Sequence, residues 1–139
     1  MLYDILDIRT LASANLALQT LLIVVASVAA YFARKRRLQT HCKVLRAAVP
    51  LQALSVLSMM LPALMGYFPL GRRGLLLAVE IPLHAALGVL VVLLFVYINL
   101  VLRGVFRTWG RLANTMRLAL ASWVIGFLIG LHVYVSQYL

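Results

Sequence analysis

The chain has 139 residues, 65% of them hydrophobic and 12% charged, against about 25% charged in an average soluble domain. Its mean hydropathy is +1.03, so polar side chains are too few to cover a soluble fold, and so apolar a composition also excludes disorder. Thirteen Lys and Arg oppose three Asp and Glu, a formal charge of +10. In an apolar chain such an excess belongs in cytoplasmic loops facing anionic lipid headgroups, and no basic and aromatic surface is long enough to hold nucleic acid.

The N-terminal segment carries Asp4 and Asp7 with only Arg9. That is the wrong charge for the start of a cleavable signal, and Leu2, Tyr3, Ile5 and Leu6 suit a short interfacial helix. Hydropathy then predicts four spans, at 11–33, 47–71, 75–102 and 112–138. Each is about the length a helix needs to cross roughly 30 Å of hydrocarbon. The apolar runs show no period-two alternation, so helices are expected rather than a barrel.

Loop charge predicts the orientation. Arg34, Lys35, Arg36, Arg37, Lys43 and Arg46 lie between the first two spans, and Arg103, Arg107, Arg111 and Arg117 between the last two. The other side has Arg9, Arg72 and Arg73, offset by all three acids. The positive-inside rule therefore places both termini outside the cytoplasm of a multi-pass cell-membrane protein. Short loops make neighbouring helices antiparallel, so the expected fold is all-α: one up-down-up-down four-helix domain. Pro50, Pro62, Pro69 and Pro82 read as kinks or helix starts. Gly126 and Gly130 form a GxxxG that suits close helix packing, with Trp123 in a packing role on the same span.

The single cysteine, Cys42, excludes an internal disulfide, a CxxC redox pair and a thiolate zinc site. Scattered serines without a positioned His–Asp partner give no support for acyl hydrolysis. Chemistry is expected of ionisable groups held in hydrocarbon, because they are costly there without a partner. His84 lies about 14 Å in from one end of the third span, and His132 about 10 Å from the corresponding end of the fourth, at 1.5 Å per residue. Two imidazoles at a similar depth on successive helices suit the two axial positions of a b-type haem. Gly88 and Gly130 would leave room for a flat ring, and Arg72 and Arg73 would pair with its propionates. If one histidine fails, Met59, Met60 or Met65 is an alternative ligand. The competing reading has both histidines hydrogen-bonding across helix interfaces. Glu80, one turn before His84, either orients an imidazole or is neutralised by Arg72 or Arg73. His41, in a basic and partly hydrated stretch, is a weaker candidate for a second haem or metal site.

Three stretches, Leu38-Gln-Thr-His41-Cys-Lys-Val-Leu-Arg-Ala-Ala, Ile81-Pro-Leu-His84-Ala-Ala-Leu-Gly, and Arg111 to Trp123 followed by Gly130 and Tyr134, resemble the later helices of the DUF420 family. These are small four-helix membrane proteins, some linked to assembly of haem-copper cytochrome c oxidase. The resemblance implies roles for His41 and His84 but not for His132, and a histidine that family tends to have near Arg111 is missing. A second resemblance, through His41 and Pro50, is to the membrane-associated eicosanoid and glutathione family. Lys43 and Arg46 stand between them without the Asn and Glu expected there. The leading expectation is a haem b protein in electron transfer or respiratory-oxidase assembly. The alternatives are a cofactor-free structural or assembly subunit and a glutathione-dependent membrane transferase. Expected partners are the lipid bilayer, a respiratory oxidase or quinone, and a second copy of the chain.

Overall fold

The computed structural model describes residues 5–61, 65, 75–108 and 110–139. Every regular element among them is helical: α1 (Ile5–Arg34), α2 (Leu38–Ser55, continued by a π-helical turn, Val56–Met60), α3 (Leu75–Leu102) and α4 (Leu112–Tyr138). All four are long and apolar enough to cross a membrane. The physical reason is that hydrocarbon offers backbone amides no partner, and a helix pairs them internally.

Two boundaries differ from the expected spans. The segment 5–10 is not a separate interfacial helix but runs on into α1. The second helix starts at Leu38, nine residues before the uncharged stretch that marks it in sequence. Lys43 and Arg46 are polar enough to hide the helix in a hydropathy profile. Wound as a helix, they fall on an exposed face, while His41 and Ala48, seven residues apart, are buried.

The turns explain why α1 and α3 stop. After α1, Arg37 N–H bonds Phe32 O at 2.9 Å and Arg36 N–H bonds Ala33 O at 3.0 Å. After α3, Val105 N–H bonds Leu100 O and Gly104 N–H bonds Val101 O, both at 2.9 Å. Each pair is the nested closure that follows a left-handed residue. Gly104 takes that conformation (φ 75°) without steric cost, whereas Arg36 takes it (φ 58°) with its Cβ in place. Pro50 and Pro82 lie inside α2 and α3 with exposed rings; Pro62 and Pro69 fall outside the described residues.

Helix α1 packs chiefly on α2, and α3 on α4; contacts between these two hairpins are sparser. Ala26, Ala29 and Ala48 line the first seam, and their small side chains let the backbones approach. His41 Nδ1–H donates to Ala29 O at 2.8 Å across it. Val91, Phe95, Ala119 and Trp123 are buried in the second seam, where the Phe95 and Trp123 rings meet edge to face at 5.4 Å. A single core joins both seams, running through Leu22, Ala26, Ala48, Val91, Ile98 and Trp123. Large side chains such as Leu21, Leu57, Leu76, Leu93 and Leu128 point outward, as lipid-facing residues do. The core occupies the half of the bundle next to the basic turns. In the other half the hairpins part around a cavity.

Candidate functional site

The cavity, about 200 Å³, has walls contributed by all four helices. They run from Val91 and Ser122 at mid-bundle to Leu11, Gln137 and Tyr138 near the helix ends. On α2 the lining residues Gln52, Ser55, Val56, Met59 and Met60 follow the i, i+3, i+4, i+7, i+8 spacing of one helical face. Most of the wall is apolar, so its polar groups stand out.

Four of those groups form a chain across the hairpins. Trp123 Nε1–H approaches Gln19 Oε1 at 3.4 Å. Gln19 Nε2–H donates to Ser55 Oγ at 2.8 Å, and the Ser55 hydroxyl donates to Asn15 Oδ1 at 2.5 Å. At the helix ends Ser13 Oγ donates to Arg9 O at 2.8 Å and meets the Tyr134 hydroxyl at 2.6 Å, tying α1 to α4. Interhelical hydrogen bonds in membranes contribute about 0.6 kcal/mol on average and about 1.7 at most. Gln19→Leu removes two of them with little change in volume. It is expected to destabilise the bundle by about 1–2 kcal/mol, read as earlier thermal unfolding in detergent; an unchanged transition would mean the chain carries no load.

Gln52 differs from these. It is 4% exposed and lines the cavity, yet its Oε1 has no hydrogen-bond partner among the described residues. A buried polar atom left unpaired costs about 1–3 kcal/mol, so Gln52 marks a place where the fold tolerates a penalty.

His84 also lines the cavity, half-buried on α3. A carbonyl only accepts, so the 2.7 Å contact to Gly126 O makes Nδ1 the donor. In the neutral ring Nε2 then presents a lone pair, and it has no partner among the described residues. The ring rests on Gly130: a Cβ there would lie 2.5 Å from His84 Cε1 and 3.0 Å from Nδ1. Gly88 is filled in the same way by the Met60 thioether. The space these two glycines leave, expected to admit a flat macrocycle, is occupied by the protein's own side chains.

The structure does not bring the two candidate axial histidines together. His132 leaves the cavity lining and pairs with Glu80, Nδ1 to Oε2 at 2.8 Å, with the two side chains 52% and 22% exposed. Glu80 therefore does hold an imidazole, but that of His132 rather than His84. His41, expected in a hydrated stretch, is 8% exposed and held by Ala29 on the α1–α2 seam, apart from the cavity. Met59 and Met60 line the cavity, while Met65 is exposed. Arg72 and Arg73, expected to hold propionates, lie outside the described residues. Among the described residues no three His, Cys, Asp or Glu side chains are grouped to hold a metal ion.

Attention to ionisable groups alone misses Asn15, Gln19, Gln52 and Ser55. Their signal was spacing: Asn15 and Gln19 are four apart, Gln52 and Ser55 three apart, each pair on one helical face. No protein-family model, curated protein or solved structure matches the chain, so the DUF420 resemblance rests on the residues quoted for it.

Proposed function

We propose that the protein is a membrane-embedded binding protein for a small amphiphile, whose single ring enters the cavity between the two helical hairpins. The observation that carries this reading is Gln52, a buried amide in the wall of a mostly apolar cavity whose Oε1 has no partner among the described residues. Such sites are typically apolar with a few placed polar groups. Volume sets the ligand class: a cavity of about 150 Å³ admits benzene, and this one is about 200 Å³. One substituted ring fits within it, with any tail leaving through the open side. The test is mass spectrometry of lipids retained by the purified protein. The result expected is a one-ring amphiphile near equimolar amount. Protein that retains only bulk phospholipid favours the cofactor-free assembly subunit.

A second reading uses the same cavity for haem b, with His84 and a thioether from Met59 or Met60 as ligands. The observation in its favour is that these three side chains line one cavity. It requires the hairpins to separate well beyond the volume present, and a Soret band from haem-replete expression decides it. Electron transfer and oxidase assembly follow only in that case. Nothing about the cavity favours a glutathione transferase.

In our reading the bundle is antiparallel, up-down-up-down, with the basic turns in the cytoplasm and the termini outside the cell membrane. Support comes from the ten basic residues in those turns and the helix ends beside them, and from the order of contacts, since Ala29 meets His41 while Asn15 and Gln19 meet Ser55. Cys42 is exposed and stands among these cations. A membrane-impermeant maleimide is expected to spare it in intact cells and label it after permeabilisation. The double variant Cys42→Ser, Leu139→Cys is expected to label without permeabilisation. The reverse pattern would invert the topology.

A further inference from the structure

We propose that the ring bound in the cavity is phenolic, its hydroxyl donating to His84 Nε2, which places the ligand in the class of alkylated phenols. This rests on the cavity being a ligand site and specifies which chemistry it selects.

The argument begins with the unused hydrogen-bonding capacity. Gly126 fixes the imidazole through Nδ1, so Nε2 of the neutral ring offers an acceptor and nothing else. Gln52 Oε1 also lacks a donor among the described residues, but it is sealed within the wall and out of a ligand's reach. Asn15 Oδ1, Gln19 Oε1 and Ser55 Oγ already accept bonds from one another's neighbours in the chain that ends at Trp123. Among the lining groups His84 Nε2 is thus a positioned acceptor open to a ligand. A ligand bringing a hydroxyl group satisfies it, whereas one bringing only carbonyl or ether oxygens leaves Nε2 unpaired. Such a mismatch is how a buried polar site rejects an analogue that lacks the hydroxyl.

The remaining walls suit an aromatic body. Met60 and Phe127 supply polarisable and flat surfaces. The lining extends to Leu11 and Tyr138 at the helix ends, where an apolar tail leaves for the bilayer. His84 is positioned by its Gly126 bond and by contact with Gly130, so the acceptor is held in place before the ligand arrives.

The experiment compares 4-decylphenol with 4-decylanisole, which differ in the O–H donor, against the full chain in detergent. Trp123 lines the cavity; the substitution Trp109→Phe leaves it as the sole tryptophan of the two, and its emission reports binding. The phenol is expected to bind about tenfold more tightly than the anisole, and His84→Leu to bring the ratio near one while the anisole still binds. Equal affinity for phenol and anisole in the His84 protein overturns the phenolic assignment and leaves the ligand site standing. If no ring probe changes Trp123 emission, the ligand site falls with it. The wild-type comparison needs no cavity variant to fold.

Discussion

Gly130→Ala is expected to destabilise the protein by about 1–3 kcal/mol and to displace His84 from its seat. The new Cβ would lie 2.5 Å from His84 Cε1, a distance that forces movement. The ring cannot yield cheaply, because its Nδ1 is bonded to Gly126 O on the same helix as Gly130. Overpacking of this kind costs about 1–3 kcal/mol, and the lost hydrogen bond adds about 1. Alanine's better helix propensity returns about 1 kcal/mol. Gly88→Ala is the control. Its clash is with the terminal methyl of Met60, the free end of a flexible side chain, so the propensity gain roughly cancels the cost. Thermal unfolding of the two variants in one detergent should separate them clearly. Equal loss at both positions would show that His84 is not held as described.

His84→Ala and His132→Ala are expected to part company in ligand retention. The first removes the cavity's free imidazole nitrogen and should lower retention of the bound amphiphile about tenfold. The second removes an exposed partner of Glu80 and should leave retention within about twofold, with stability changed by less than about 1 kcal/mol. Quantitative mass spectrometry of the three proteins, matched for monodispersity, reads both. A matched loss in both variants would mean that the histidines act together at one group, as the bis-histidine haem reading requires.

The contrast between these histidines shows where sequence reasoning reached and where it stopped. Their depth was legible, because a helix advances by a fixed rise per residue. Their facing depends on helical angle, which depth does not carry. His132 lies two residues beyond Gly130, about 200° round a helix of 3.6 residues per turn. Since Gly130 faces His84, His132 turns away from the cavity. The Gly126–Gly130 seam already held that information. The four helices were legible from hydropathy, yet the start of α2 was not, because hydropathy averages Lys43 and Arg46 without regard to the face they occupy. The site's neutral amides were hidden for a related reason. Asn15, Gln19 and Gln52 each lower a span's hydropathy only slightly, and it is their shared faces across two helices that place polar groups in the cavity wall. The missing partner of Gln52 Oε1 is a property of packing, and no spacing rule shows it.

The most direct test of the account is the composition of protein purified from cells supplied with haem. The prediction is a one-ring amphiphile at near-equimolar amount, no Soret band, and loss of that amphiphile in His84→Ala but not in His132→Ala. A Soret band in the wild type, abolished in both variants, would contradict it.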